Sequence, residues 1–277
     1  MQFILPVESI VQKKGGVVLY DPGSNKILKQ YVHDKQGGRP VRVGWRGGQL
    51  YDQYIIVTDW SELHYFNVKK WKYERSFKKD TFKNLHNIGI YDDKLYVINT
   101  GLNIIEMFKN PLEPEFEKII YIDLKHPNCI AFKKERIFVT CLGHGDTPNS
   151  EGVVELNSGK RIFEDEFSCH DGIFHGNDFY LTHTSQGAIL EFKDLCNKKI
   201  PISPTNIIKI GAGKGWWRGM IIVEDVVYVF ASDGYRKKKA TIRMATVNLK
   251  TMARTKINLP VVDGIHWDTI YQPNFYT

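Results

Sequence analysis

The stretch FSCHDGIFHGNDFYLTHTSQGAILEF, Phe167–Phe192, decides the fold. It predicts a short strand from His170, a tight turn at His175–Asp178, a second strand ending at His183, a glycine turn and a third strand, AILEF. Two earlier segments repeat this order, HNIGIYDDKLYVINTGLNIIEMF from His86 and HPNCIAFKKERIFVTCLG from His126. Each copy begins with a histidine, and such repetition is typical of a repeat architecture.

The composition of the 277-residue chain is that of a soluble protein, with 42% hydrophobic and 25% charged residues. No apolar run reaches the ~18–20 residues that a membrane span needs, so we expect no membrane association. The N-terminal segment has no basic region and is interrupted by Pro6 and Glu8, which does not fit a signal peptide. The four cysteines lack a CxxC spacing, and we expect them to stay reduced in the cytoplasm.

The net charge of +7 does not by itself indicate a nucleic-acid partner. The densest basic run, RKKK at Arg236–Lys239, lies in a predicted hairpin turn. No basic face with interleaved aromatic residues recurs along the chain, so we expect no nucleic-acid binding. The sequence leaves the oligomeric state open.

Short segments rich in Val, Ile, Tyr and Phe alternate with turns such as DPGSN, DD and NSG, which predicts an all-β chain. In groups of four these strands form five units of about 40–48 residues, the period of propeller blades. Three strands are left at the N-terminus and one, GIHWDTIY, at the C-terminus. The sequence therefore predicts one domain over residues 1–277, a six-bladed β-propeller closed by pairing of the C-terminal strand with the N-terminal strands. Such closure removes exposed sheet edges.

The first strand of every predicted blade opens with histidine or arginine. In four blades this residue stands five before the last residue of the strand; in the other two, His126 stands six before Phe132 and His170 four before Phe174. We attribute that difference to longer hairpin tips. The six residues are Arg46, His86, His126, His170, Arg218 and His266.

Because innermost strands of a propeller surround one axis, these side chains predict a metal centre. His86, His126 and His170 from consecutive blades would be the ligands, with His266 as a possible fourth. A four-histidine set favours iron, whereas three histidines with an open position suit zinc, manganese, iron or copper. Arg46 and Arg218 would orient the carboxylate or phosphate group of the substrate, and both would be catalytic residues.

Other residues complete the predicted site. The loops after the second strands reach the same face and supply His183 as a substrate-binding residue, although a single histidine there is usually a surface or turn residue. Trp217 would stack on the substrate, although a tryptophan beside the opening arginine is usually a packing residue. Asp146 in GHGDTP would be a general base or would orient another residue of the site, although aspartate in a turn is usually only a turn residue. A ring of His and Arg would also suit a channel that holds only water or passing anions.

Two functions from different classes follow. The first is a metal-dependent lyase, hydrolase or oxygenase that acts on a small anionic substrate in the central funnel. The alternative is a non-catalytic binding module for an anionic ligand or a protein partner. Metal analysis of the purified protein separates the two.

The segment Val139–Phe192 resembles an uncharacterised bacterial β-propeller family. The shared features are the LGHGDT turn, a glycine-containing strand followed by NSG, and a strand start, SCHDG, that leads to the THTSQG turn. The family usually places Pro-His before that strand, where this chain has Cys169-His170. The resemblance implies a propeller and leaves the function open. In arrangement only, the histidines are also similar to those of propeller metalloenzymes such as carotenoid oxygenases and the peptide amidating lyase.

Overall fold

A computed structural model describes residues 1–9, 14–33, 45–142, 151–163, 169–198, 202–210, 216–232, 242–260, 269–270 and 273–276. The predicted site residues Asp146 and His266 lie outside these ranges. The described residues form β-strands joined by turns, with one short 3₁₀ helix at Leu195–Asn197. Within them, the structure contains no helix capable of crossing a lipid bilayer.

The chain divides into two compact units, each with three sheets, and the first unit combines Met1–Leu85 with Lys214–Thr277. Its terminal sheet has the strand order β24–β1–β2–β3, and β25 also pairs with β1. These strands are β1 (Gln2–Ser9), β2 (Lys14–Asp21), β3 (Lys26–His33), β24 (Thr269–Ile270) and β25 (Asn274–Tyr276). The second sheet contains β4 (Arg46–Tyr51), β5 (Tyr54–Thr58), β6 (Glu62–Asn67) and β7 (Lys72–Lys78). The third contains β20 (Trp216–Val223), β21 (Val226–Ser232), β22 (Ile242–Asn248) and β23 (Arg254–Asn258).

The second unit is His86–Gly213. Its first sheet contains β8 (Leu85–Tyr91), β9 (Lys94–Asn99), β10 (Ile104–Lys109) and β11 (Glu115–Tyr121). The next contains β12 (Pro127–Lys133), β13 (Arg136–Leu142), β14 (Glu151–Glu155) and β15 (Lys160–Phe163). The last contains β16 (Cys169–His175), β17 (Asp178–His183), β18 (Ala188–Phe192) and β19 (Asn206–Lys209).

The fold class predicted from the sequence is confirmed: the chain is a six-bladed β-propeller of four-stranded antiparallel blades. The predicted closure is confirmed as well, because β24 and β25 pair with β1. The last strand is divided into two described pieces, which contact opposite ends of β1. The prediction of one domain over residues 1–277 stays a prediction.

Continuous apolar runs explain how the inner strands pack against the neighbouring sheets on both faces. In β1, Phe3 and Leu5 pack in one core cluster with Phe230 and Met244, whereas Ile4 packs in another with Trp45. Successive side chains of a strand point to opposite faces, so a continuous apolar run buries both faces. Outermost strands differ: β7 and β11 are exposed along most of their length.

The hairpins between first and second strands correct one prediction. Lys133 pairs with Arg136 and His175 pairs with Asp178, so both hairpins have two-residue turns like the one between Tyr51 and Tyr54. The first turn residue has a positive φ, for example 53° at Asp52 and 52° at Lys134, as tight hairpins require. The predicted longer hairpin tips are therefore wrong, since Lys133 and His175 belong to the strands.

Close packing at Gly48 gives a test of the fold. A Cβ atom at this position would lie 2.5 Å from Val57 Cγ1 and 2.7 Å from the carbonyl oxygen of Ile56. Because a backbone oxygen in a strand cannot move aside, we expect Gly48→Ala to destabilise the protein by about 1–3 kcal/mol or more, the usual range for overpacking. Urea unfolding measures the change.

Gly23→Ala is the matched control for this prediction. A Cβ atom there meets only Asp21 Oδ1, at 3.4 Å, an ordinary contact distance. We expect this variant to unfold at the wild-type urea concentration. Equal stability of the two variants would show that β4 and β5 are not packed as described.

Candidate functional site

The opening residues of the blades lie in β-bulges. In the four blades whose inner pairing is resolved, two residues of the first strand face one residue of the second. The facing sets are Arg46–Gly47 with Thr58, Asn128–Cys129 with Thr140, His170–Asp171 with Thr182, and Arg218–Gly219 with Phe230. Bulges re-aim side chains and are common beside functional sites. We call the residue five before the end of each first strand the opening position.

Threonines of the second strands hold three of these bulges. The hydroxyl of Thr58 donates to the carbonyl oxygen of Gly47 at 3.3 Å, and that of Thr182 accepts from the backbone N–H of Asp171 at 2.8 Å. The Thr140 hydroxyl lies 3.5 Å from the carbonyl oxygen of Cys129 in its own blade and donates to the carbonyl of His170 in the neighbouring blade. Sequence reasoning missed this role, although a threonine near the end of the second strand recurs in VTD, VTC and LTH.

The register of the first strands changes one of the six opening residues predicted from the sequence. Counted from the true hairpins, Arg46, His86, His170 and Arg218 all occupy the opening position. In the β12 blade that position belongs to Asn128, because β12 ends at Lys133. His126 lies two residues earlier, just before β12.

His126 nevertheless lies beside His86. Their ring centroids are 5.0 Å apart with an interplanar angle of 77°. His86 is 9% exposed, and His126 is partly exposed. Both belong to the second unit, so the described residues bring two of the predicted metal ligands together.

Asn103 fixes the segment that carries His126. Its side-chain oxygen accepts from the His126 N–H at 3.0 Å, and its amide donates to the carbonyl oxygens of Ile122 and Leu124 at 3.0 and 2.8 Å. The backbone of His126 has a φ of 55°, an unusual conformation for a residue other than glycine. These bonds offset the cost of that conformation, and no motif in the sequence indicates them.

His170 is buried beside Asp171. Its Nδ1 lies 3.1 Å from Asp171 Oδ2, a short electrostatic contact that is not directed as a hydrogen bond. A carboxylate at this distance favours a proton on Nδ1, as for many histidines that bind metals or transfer protons. The neighbouring Cys129 is different: burial, with a smaller effect of Asp171, raises the pKa of its thiol to about 12. Cys129 therefore remains a neutral thiol at pH 7.

The predicted three-histidine site is not assembled among the described residues. Within those ranges, no group of three or more His, Cys, Asp or Glu side chains is placed to hold a metal ion. His266, the predicted fourth ligand, is outside them. The ligand set His86, His126, His170 and His266 stays a prediction, of which the structure describes one close pair.

Arg46, in the first unit, makes internal contacts. Its guanidinium donates to Asn84 Oδ1 at 2.8 Å and to the carbonyl oxygen of Leu85 at 3.4 Å. It also lies 5.3 Å from the ring centre of Trp60, and its Nε is 3.9 Å from Glu8 Oε2. A guanidinium with these partners and a buried carboxylate nearby has a structural role. Binding of an anion by Arg46 stays a prediction.

The other predicted substrate residues are buried. Arg218 occupies the opening position of β20, and Trp217 precedes it; both are buried. His183 ends β17, where its Nδ1 accepts from the backbone N–H of Gln186 at 3.4 Å. His183 thus caps the THTSQG turn. The substrate roles of all three stay predictions, and Asp146 is not described.

Comparisons with known proteins support the fold alone. No family model matches the chain, and no curated protein matches it. Among solved structures, a chain in the crystal structure of a nidogen/laminin complex is similar, with a TM-score of 0.69 and 11% identity over 99% of this chain and 97% of that one. At that identity the likeness shows a shared fold and says nothing about function. The resemblance to a bacterial family is supported only as far as the propeller fold.

Proposed function

We propose that the protein is a metal-dependent enzyme that acts on a small anionic substrate, with a divalent transition metal bound by His86 and His126. The observation that carries this proposal is the separation of 5.0 Å between the two imidazole centres. Two imidazoles that share a metal at about 2.0–2.1 Å per nitrogen have ring centres about 5 Å apart. Two protein ligands leave coordination positions for water and substrate.

His170 is the proposed proton acceptor or third ligand of this centre. It opens the blade next to the one preceded by His126, and β12 packs against β16. The Asp171 carboxylate beside Nδ1 favours a basic Nε2. The metal, when bound, would polarise a carbonyl or activate water.

The alternative is a non-catalytic module that binds an anionic ligand or a protein partner. The internal contacts of Arg46 remove one of the two cations assigned to an anion, so within this alternative they favour the protein partner. None of the four cysteines, which all lie in the described ranges, is in a disulfide, and this supports our proposal of a cytoplasmic location.

The metal is tested with protein purified without an affinity tag. We expect about one transition-metal ion per chain in the wild type, by elemental analysis, and loss of that metal in His86→Ala and His126→Ala. Because imidazole must be neutral to bind a metal, affinity should fall as the pH is lowered through about 6.5. The ion found identifies the metal among iron, zinc, manganese and copper.

His175→Ala is the control, since this histidine lies at the hairpin end of β16. It should keep the metal. Retention of stoichiometric metal in both His86→Ala and His126→Ala would leave these two rings as an edge-to-face aromatic pair and overturn the proposal. His170→Ala tells whether a third ligand is needed.

Asn103→Ala tests the positioning of His126. It removes three hydrogen bonds without altering a proposed ligand. Residues that orient metal ligands typically contribute about 10–100-fold in metal affinity, and we expect a loss in that range. Competition with a chromogenic chelator measures it. Unchanged affinity would mean that His126 is held by other contacts.

A further inference from the structure

Asn128 is a buried amide at the opening position of the β12 blade. It is 1% exposed, and neither Oδ1 nor Nδ2 makes a hydrogen bond within the described residues. Leaving a buried polar group unpaired destabilises a folded protein, so nearly all such groups have partners. An amide with both ends unpaired therefore points to a partner that is not part of the described chain.

The adjacent backbone carbonyl and two nearby buried amides are paired by contrast. The carbonyl oxygen of Pro127 accepts from the Thr100 hydroxyl at 2.6 Å, and the buried Asn99 donates from Nδ2 to Glu106 Oε1 at 2.8 Å. Asn87, next to the opening position of β8, accepts from the N–H of Ile88 at 2.6 Å. The lack of partners is thus a property of Asn128 and not of the buried amides around it.

The strand register relates Asn128 to the histidines of the proposed site. It shares the opening position with His86 and His170 of the adjoining blades, and it follows His126 by two residues. Because of the bulge at Asn128–Cys129, Asn128 lies outside the regular pairing of β12 with β13. Asn128 and the three histidines all belong to the second unit.

The chemistry of the amide defines what it would bind. A carboxamide presents a donor and an acceptor side by side, and both are satisfied by a ligand edge with adjacent C=O and N–H groups. Asparagine binds the N6/N7 edge of adenine by the same pairing. A carboxylate would satisfy Nδ2 only and would place its charge against Oδ1.

We propose that Asn128 recognises a carboxamide or lactam group of the ligand. This deepens the proposed function by naming the substrate class, and it rests on that function for the location of the ligand. The substrate would combine an amide edge held by Asn128 with an anionic or carbonyl group held at the metal.

The probe is 2-pyrrolidone, a lactam, compared with cyclopentanone, which has the same ring size and carbonyl but no N–H. Amide NMR spectra of ¹⁵N-labelled protein report the side-chain NH₂ signals of Asn128, which are identified by their loss in Asn128→Val. We expect 2-pyrrolidone to shift these signals and cyclopentanone to bind at least ~10-fold more weakly, because its carbonyl can accept from Nδ2 but leaves Oδ1 without a donor. In Asn128→Val the preference for the lactam should disappear.

The melting temperature is a second readout, because it should change in opposite directions for an amide that binds a ligand and for one that stabilises the fold. Replacing an unpaired buried amide by an apolar group removes a penalty, so we expect Asn128→Val to raise the melting temperature by about 2–6 °C. Asn99→Val, which breaks a paired contact with Glu106, should lower it. If Asn128→Val does not fold, Asn128→Ala carries the same comparison of probes.

The outcomes separate this inference from the metal. Both probes are titrated into metal-free and metal-loaded protein, and the metal content of each sample is measured. If the protein as purified contains no metal and the lactam still shifts the Asn128 signals selectively, the result supports the inference and counts against the metal proposal. Equal response to both probes, or a melting temperature lowered by Asn128→Val as by Asn99→Val, would mean that Asn128 holds only water and would overturn the inference.

Discussion

Deletion of residues 269–277 is expected to abolish cooperative folding at 37 °C. The deletion removes β24 and β25, which pair with β1 along Val7–Glu8 and along Gln2–Ile4. It would leave the inner edge of the terminal blade without partners and expose the cluster around Phe3 and Leu5. Loss of a core strand exceeds the ~5–15 kcal/mol that stabilises a typical domain.

Asn274 contributes to this effect by joining two blades of the first unit. Its side chain accepts from the Leu50 N–H at 2.9 Å and donates to the carbonyl oxygen of Gly48 at 3.0 Å. Asn274→Ala removes these two bonds and should cost about 1–3 kcal/mol. The deletion should therefore be far more severe than the point change.

Far-UV circular dichroism with thermal unfolding measures both variants. Removal of Thr277 alone is the control, because it leaves β25 complete, and this protein should melt like the wild type. A soluble 1–268 protein with an unchanged melting temperature would contradict the pairing of the C-terminal strands with β1.

Glu8→Ala is expected to lower the free energy of unfolding by about 3–5 kcal/mol, the usual cost of leaving a buried charge without its partner. Glu8 is 0% and Arg46 3% exposed, and the two side chains lie 3.9 Å apart. Arg46→Ala should cost a similar amount, because it leaves the carboxylate buried. The double change Glu8→Leu/Arg46→Met should cost less than the sum of the single changes, since no charge then remains.

Urea unfolding of the wild type, the single variants and the double variant completes this test. Lys70→Ala is the matched control, because Lys70 and Glu74 are closer, at 3.2 Å, but are exposed. We expect no measurable change for it, since solvent screens exposed pairs. If Glu8→Ala is as stable as the wild type, Arg46 is not held by Glu8, and its assignment to an anionic substrate regains support.

Much of the site could not be read from the sequence because strand register was needed. The segment AFKKERIF allows the β12 strand to end at Phe132 or Lys133, and FHGNDF allows β16 to end at Phe174 or His175. Local propensities do not distinguish these ends. Cross-strand pairing does, because one residue of slip moves every side chain to the other face. The observed pairing places Asn128, and not His126, at the opening position of the β12 blade.

Contacts between distant residues were equally beyond the sequence. Glu8 meets Arg46 from another blade, and Asn103 fixes His126 across 23 residues. Neither pair has a sequence motif, because a salt bridge or amide contact depends on where two strands meet in space. The repetition predicts that His86 and His126 belong to consecutive blades, but His126 meets His86 from the segment before β12 and not from the equivalent position.

By itself, the sequence determined the propeller, its six blades and the closure by the C-terminal strand. Strand alternation and turn residues are local signals that repeat, and counting strands in fours leaves one arrangement without an exposed edge. Only the tertiary structure decided which side chains share the opening position and which charges are already paired. Bulges, register and burial depend on packing between strands that are distant in the chain, and those contacts determine which polar groups remain available to a ligand.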